Sequence, residues 1–544
     1  MNRSYGFWFL NRTKLFAYRL QLAALVLGAL GAMAIVSCTG STERDAQPGP
    51  TATFSPADAT ATWVAFKPEL DRLAAESRER QIVQATITAA AAFAEEEEAN
   101  LAAAATPTVE AFITERDVIA GTGSELIPTP AATPAPLLPP ARAIATGEVD
   151  RIAFSDGRGS VHTVNPDGAD LATVASGSLL AGQFHYTFPV WSPDGGSLVF
   201  SSFLIVANSV VQSALHRADA DGNGAIITLA VDDTSQSGVG PGVPHFSSWS
   251  PDGERIALTT SGEFGIGTIL LGSYSGEAPK GIALGAPLYV NWAPDGTAIL
   301  VHQAEGLHLI PVTGSGSGAP VAIGNGSISF NSPSWSPDSQ SFAYVDSFGG
   351  KTSVVLTQKS DLDNYEVIAD ADVRVGLGWS PDGKHLAIAR SSGTAFHTLS
   401  IYSPADSSER TVYEGDIRAF WWSPDSSRLA IVEDSPVIDL AHMWSVLDVE
   451  SGEAIPLVTQ VLSDEFLFVQ VFFDQYAESH HIWAPDSSRL VITGTLLDVD
   501  RVVLPGGAAD LPETFDSQVW VLDAAGVEEP VSIGRGTIAS WSPR

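Results

Sequence analysis

The chain has 544 residues, 44% of them hydrophobic, which is enough for one large core with extensions. Its 28 basic residues stand against 63 acidic ones, and the net charge of −35 argues against nucleic acid or an anionic membrane surface as the main partner. There is one cysteine, so an intramolecular disulfide is excluded, and the acidity reads as a solvated surface.

Residues 1–19 carry Arg3, Arg12, Lys14 and Arg19 with no acidic residue, and an apolar run follows from Leu20 to Val36. Such a charged start and apolar run form a secretory signal over 1–37. The run ends at Ile35-Val36-Ser37-Cys38, with the only cysteine of the chain at its close. Small residues before that cysteine resemble the bacterial lipobox, which implies cleavage before Cys38, lipidation of its sulfur and anchorage to a membrane. An uncleaved single span is the alternative, and both place the body outside the cytoplasm.

Residues 38–67 are rich in Ser, Thr, Gly, Pro and Ala and read as a flexible tether. Pro68 and Glu69-Leu70-Asp71 open an Ala-rich helical stalk over 68–104 whose apolar stripe (Leu70, Leu73, Val83, Ile87) is thin. Prolines then make 105–147 an extended, semi-rigid linker.

From about residue 148 one motif organises everything, typified by Trp249-Ser250-Pro251-Asp252-Gly253-Glu254-Arg255-Ile256-Ala257-Leu258. Its copies start at Trp191, Trp249, Trp292, Trp335, Trp379, Trp422, Trp483 and Trp541, spaced by 58, 43, 43, 44, 43, 61 and 58 residues. Pro presets φ in a turn, Asp bonds local N–H groups, and Gly supplies the left-handed residue from which the next strand starts. Three copies carry Ser339, Ser426 or Ser487 in the glycine place, at a cost of about 1 kcal/mol if that place is left-handed. Short apolar runs such as Leu198-Val199-Phe200 and Leu429-Ala430-Ile431 follow, buried on both faces, and the tryptophans pack between repeats.

The first repeat lacks its tryptophan strand, whereas Ile538-Ala539-Ser540-Trp541 is such a strand with nothing after it. The expected fold is therefore all-β: an eight-bladed β-propeller over 148–544 with strand-exchange closure between its N- and C-terminal ends. Trp-Ser-Pro-Asp-Gly, then an Ile-Ala-Phe strand, then a second Asp-Gly turn before a Leu-Thr-like strand resembles the TolB-type propeller repeat, over about residues 148 to 544. The resemblance implies a periplasmic or cell-surface protein engaged in protein–protein contacts. The lipobox, the stalk, eight units in place of six and no separate N-terminal α/β domain depart from TolB.

Candidate chemistry is sparse. No nucleophile elbow with a hydrolase domain is present, and Gly314-Ser315-Gly316-Ser317-Gly318 has turn composition. Asp219-Ala220-Asp221-Gly222-Asn223-Gly224 reads as a hairpin turn rather than a calcium loop. The adjacent His480 and His481 would point to opposite faces of a strand, so no metal site and no cofactor are expected. Just upstream of the tryptophans lie His185, His245, Tyr289, Asn331, Arg374, Asp416, Arg418, His480 and Arg535, which would converge on one channel mouth of a closed propeller, either as strand starts that are polar because they meet water or as candidate binding residues. The insert 461–479, with Phe466, Phe468, Phe472 and Phe473, is either a buried strand or a docking patch.

The expected function is that of a non-enzymatic surface lipoprotein with a monomeric propeller that binds another envelope protein or polymer. The alternative is an envelope hydrolase or lyase acting on peptide or glycan at the channel mouth, marked by a carboxylate pair and a histidine meeting there. A sensor or solute-binding lipoprotein is the third reading.

Overall fold

The repeat fixes its own register. In seven units the tryptophan pairs, antiparallel, with the residue seven positions on: Trp191 with Leu198, Trp249 with Ile256, Trp292 with Ile299, Trp335 with Phe342, Trp379 with Leu386, Trp422 with Leu429 and Trp483 with Leu490. In all seven turns the Asp Oδ1 accepts from the N–H two residues on, and in five of them a Ser hydroxyl joins it, Ala293 and Ala484 taking the Ser place in the other two. In Ser250-Pro251-Asp252-Gly253, Ser250 Oγ donates to Asp252 Oδ1 (2.5 Å) and accepts from the Arg255 N–H (2.9 Å), while Asp252 Oδ1 accepts from the Glu254 N–H (3.0 Å). The turn thus satisfies its own polar groups and hands the chain to the next strand.

The structure, a computed structural model, describes residues 150–543 apart from 181, 207–208, 233–245, 263–264, 273–279, 285–287, 304–305, 314–315, 325–330, 349–350, 372–373, 392–394, 439 and 499–514. The signal segment, tether, stalk and linker lie outside the described residues, as does His245. Among the described residues no helix is long and apolar enough to cross a membrane.

Five sheets are separate ladders, each ordered from its tryptophan strand outward. The second sheet runs Phe184–Trp191, Ser197–Val206, Ser209–Asp219, Ile227–Asp232. The third runs Ser247–Trp249, Arg255–Gly262, Gly265–Gly272, Lys280–Leu284. The fourth begins at Leu288–Trp292 and the fifth at Ser334–Trp335. A ten-stranded ladder from Arg374–Trp379 to Val531–Arg535 carries the last three repeats. It is continuous through two joints: the strand Ser408–Trp422 pairs by its first half with Phe396–Ser403 and by its second half with Arg428–Asp434, and Ala454–Leu462 pairs with Arg489–Leu497 of the last repeat.

The first sheet is completed by the last strand. Ile152–Ser155 pairs with Val161–Val164 on one side and with Ile538–Trp541 on the other, Ile152 opposite Trp541 and Ala153 opposite Ser540. That sheet packs against Trp191, Leu198 and Phe200 on one face and against Ala484, Val491 and Val519 on the other. Neighbouring sheets are also latched. Trp191 Nε1 donates to Ser540 O (3.1 Å), Trp249 to Val190 O, Trp335 to Asn291 O, Trp422 to Gly378 O and Trp483 to Trp421 O. In these five latches each acceptor is the residue just before the preceding tryptophan, and one of them links the second repeat to the last strand, whereas Trp292 and Trp379 Nε1 have no partner among the described residues and Trp541 Nε1 donates to Asp150 Oδ1.

Ser339, Ser426 and Ser487 all take the left-handed conformation, with φ of 61°, 64° and 63°. The strain has a return. Ser339 Oγ accepts from the Asp295 N–H, Ser426 Oγ from Asp382 and Ser487 Oγ from Asp425, at 2.9 to 3.0 Å, each tying a turn to that of the preceding repeat. A hydrogen bond contributing about 1 kcal/mol offsets the conformational cost. The Asp219–Gly224 segment forms the turn between Ser209–Asp219 and Ile227–Asp232, with Gly222 at φ 73° and Asp221 Oδ1 accepting from the Asn223 N–H.

Candidate functional site: a helical insert against the inner strands

The insert before Trp483 is neither a strand nor an exposed patch. Ser463 caps a helix, α1 (Asp464–Val471), its Oγ accepting from the Phe466 N–H, and a short turn of helix, α2 (Phe473–Tyr476), follows. Asp464 and Glu465 in the first turn suit the helix dipole. Phe466 and Phe473 are each 1% exposed, and Leu467 alone of the α1 apolar residues stays open at 43%. His480 and His481 lie beyond α2, before the Trp483 bridge, rather than on a strand.

Residues of Ser463–His481 touch every repeat. Ser463 Oγ donates to Thr537 O beside the last strand. Thr187 Oγ1 donates to Glu465, and the Phe188 ring meets Phe468, Tyr476 and His480 at 6.2 to 6.4 Å between centroids. Phe246 packs edge-on against Tyr476 at 5.4 Å, and Tyr289 against Phe472 at 6.5 Å. Gln475 Oε1 accepts from the Val290 N–H (3.2 Å), and the Ser332 N–H reaches Asp474. Arg374 Nη2 donates to Val471 O (2.8 Å), and Phe473 lies among Phe396, Phe420 and Trp421 at 5.8, 4.9 and 6.0 Å. Trp421 and Trp444 close over Phe466.

The inner strands are shaped for this guest. Phe188 has φ 52°, a left-handed residue at the bulge between Thr187 and Val190, and the bulge turns its ring onto the insert. Gly376 is needed for close approach, since a Cβ there would stand 2.7 Å from Phe473 Cζ. Free edge groups on the inner strands are met as well, Val290 by Gln475 and Val375 by Asn331 Oδ1 (2.8 Å).

Burial sets the electrostatics. Asp474 is 8% exposed; burial pushes its carboxyl up, the Arg374 charge and N–H donors from Ser332 and Gln475 oppose this, and it comes to rest at about 6. The Tyr289 hydroxyl hydrogen-bonds Asp474 and is pushed well up, first by burial and then by that carboxylate. Burial and the neighbouring His481 drive His480 down to about 3, and burial takes His185 down to about 4. Glu478 keeps access to solvent yet lies among protein atoms dense enough to push its carboxyl up.

The sequence-derived candidates therefore divide. Tyr289, Arg374 and His480 come together on the insert. Asn331 is buried and spans two repeats, accepting from Val375 N–H through Oδ1 and from His302 Nδ1 through its carbonyl. His185 is buried on the second sheet, its Nδ1 with no hydrogen-bond partner among the described residues. Asp416, Arg418 and Arg535 stand apart from the insert: Asp416 faces His397 at 3.5 Å, Arg418 pairs with Asp434, and Arg535 ends the outermost strand paired with Asp516 at 2.7 Å. The charge of Asp416 also adds to the burial that raises Glu433, whose carboxylate accepts from the Tyr413 hydroxyl at 2.7 Å. Asp474, Gln475 and Tyr476 were not among the candidates. The signal that could have found them is the helix start Ser463-Asp464-Glu465 ahead of an aromatic run.

No known protein family profile matches the chain. No curated protein matches it. Solved structures similar to it include TolB from Acinetobacter baumannii, 13% identical over 65% of this chain and 86% of that one, with a TM-score of 0.30. Oligogalacturonate lyase from Vibrio parahaemolyticus is 12% identical over 66% and 87%, with a TM-score of 0.39. Hydrazine synthase from Kuenenia stuttgartiensis is 16% identical over 47% and 69%, with a TM-score of 0.31. None of these reaches a TM-score of 0.5, and the fold described above stands on this chain's own strand pairing.

Proposed function

We propose that the chain is an extracytoplasmic lipoprotein, held to a bacterial membrane through Cys38, whose body is an eight-bladed β-propeller of the TolB-like kind serving as a non-enzymatic platform for another envelope protein or polymer. Eight tryptophan registers, the ten-stranded ladder resolving into three repeats, and the pairing of Ile152–Ser155 with Ile538–Trp541 support a ring closed by strand exchange. One observation carries the platform reading: the polar strand starts at the mouth are engaged by the chain's own insert, through Tyr289, Arg374 and Val290. The surface left for a partner is the rim of loops around that insert. The test is cross-linking of the full chain in intact cells. One dominant envelope partner, lost when the rim residue Leu440 and the exposed Leu467 of the insert it surrounds are changed to Asp, supports the platform, and no reproducible partner refutes it.

A second reading has its own observation. Asp416 lies beside His397 on one neighbouring strand and close enough to Glu433 on the other for its charge to help raise that carboxyl, so two carboxylates and a histidine are grouped about the strand Ser408–Trp422. Such a group suits an envelope hydrolase or lyase acting on peptide or glycan. Release of fragments from purified envelope polymer, abolished by Asp416→Asn, would decide for it; no release would decide against it.

A further inference from the structure

The first hairpin and the end of the outermost strand of the last repeat line an open cavity of about 260 Å³ that no part of the platform reading uses. Its floor is formed by His162 and the edge of Phe154, itself only 4% exposed, rings 5.2 Å apart and tilted by 31°, and its walls by Asp156, Leu171 and Ile533. Arg158 and Arg535 stand on its rim. Gly534 leaves the floor open: a Cβ there would stand at van der Waals distance, 4.0 Å, from Phe154 Cζ.

The rim groups are held ready. The hairpin Asp156-Gly157-Arg158-Gly159 is rigid, with Asp156 Oδ1 accepting from the N–H groups of Arg158 and Ser160 and with Gly157 packed on Thr537. His162 is fixed between Thr173 Oγ1 at 3.1 Å and Asp156 Oδ2 at 3.5 Å. The Arg158 guanidinium has no partner among the described residues, in a chain whose other described cations mostly pair with acids or carbonyls. Arg535 pairs with Asp516, but both side chains are half exposed, and a surface pair of that kind is worth about 0–1 kcal/mol and exchanges readily. Leu171 is 59% exposed, an apolar wall with nothing of the chain on it.

We infer that this cavity binds a small carboxylate carried on a six-membered ring, the carboxylate between Arg158 and Arg535 and the ring on the Phe154–His162 floor. Planar guanidinium forks match a carboxylate, and the aromatic and aliphatic lining takes the face of a ring and excludes water from it. A bare inorganic anion would leave that lining wet, and the volume admits one ring rather than two. The site exists only where Ile152–Ser155 and Ile538–Trp541 are paired, so occupancy also stabilises that pairing.

The test is calorimetric titration and thermal unfolding of the full chain with sodium benzoate and sodium D-glucuronate, against benzyl alcohol, D-glucose and acetate at constant ionic strength. At least one ring carboxylate is expected to saturate with a millimolar Kd and raise the unfolding temperature, while its neutral counterpart and acetate do not. Which of the two binds separates an aromatic from a sugar acid. Arg158→Gln should weaken binding about tenfold or more, and Arg255→Gln, which removes a cation elsewhere, should leave it within about twofold. Leu171→Asn, an exposed change that spares folding, should lower the preference for ring carboxylates over acetate. No saturation up to about 50 mM, binding unchanged in Arg158→Gln, or acetate binding as tightly as the ring acids would overturn the inference.

Discussion

Phe473 is the residue through which the insert can be tested most sharply. Its ring is 1% exposed, lies against Phe396, Phe420 and Trp421, and occupies the space that a Cβ on Gly376 would need. Phe473→Ala removes a fully buried aromatic and leaves a cavity lined by rings that cannot collapse onto it, a loss of about 3–5 kcal/mol. Gly376→Ala alone puts a methyl 2.7 Å from Phe473 Cζ and should cost about 1–3 kcal/mol through overpacking. The two changes are not additive, because the cavity left by Phe473→Ala receives the new methyl. The double variant should be more stable than the sum of the singles by about 1–2 kcal/mol. Urea denaturation followed by tryptophan fluorescence gives all four stabilities. Strict additivity, or a Phe473→Ala loss below about 1 kcal/mol, would mean that the insert does not pack against the inner strands.

Other outcomes follow from the same contacts. Ser339→Ala keeps the left-handed strain and loses the Asp295 N–H···Oγ bond, so it should cost about 1–2 kcal/mol, whereas Ser339→Gly loses the bond and the strain together and should be near neutral by denaturant midpoint. Trp191→Phe removes the Nε1–H that reaches Ser540 O, while Trp292 Nε1 has no partner among the described residues; by thermal denaturation Trp191→Phe should be worse than Trp292→Phe by about 1 kcal/mol. Asp474, raised from 3.8 to about 6, binds its proton more tightly in the folded chain, so its contribution to stability is full below pH 3.8 and is lost as pH rises to about 6. Asp474→Asn should therefore gain stability over the parent progressively from pH 4 to 6 and level off above, and a difference independent of pH would show that the carboxyl is not buried.

The repeat was legible because each copy states its register locally: tryptophan, a turn that satisfies its own polar groups, and an apolar triplet at a fixed offset. Even Ser426 and Ser487, which break the glycine rule, keep Leu429 and Leu490 opposite their tryptophans. The hydrogen bonds that reward those serines join turns 44 or 62 residues apart, a relation that no single copy contains. The insert was half legible. Its aromatic run was visible, but a run of Phe has no strong period, and only the tertiary setting distinguishes a docking patch from a segment packed against seven other repeats. For the same reason Tyr289, Asn331 and Arg374 could be grouped by position along the chain, while the contacts of Tyr289 with Phe472, of Arg374 with Val471 and of Asn331 with Val375 could not. Arg535 was grouped with them by sequence position. It ends the outermost strand of one sheet, and the chain passes to the tryptophan strand of another sheet within the residues between it and Ile538.

The account rests on the first and last strands lying side by side in one sheet, and a designed disulfide tests that most directly. In a Cys38→Ser background, Ala153→Cys and Ser540→Cys place two thiols on directly opposed residues, within the range of about 4.4–6.8 Å between Cα atoms that a disulfide spans. Mild oxidation of the folded chain should close an intramolecular bond in nearly all molecules, seen as a faster-migrating band on non-reducing gels and one lost disulfide's worth of free thiol. Free thiols that persist, or cross-links formed only between chains, would contradict the pairing and the ring built on it.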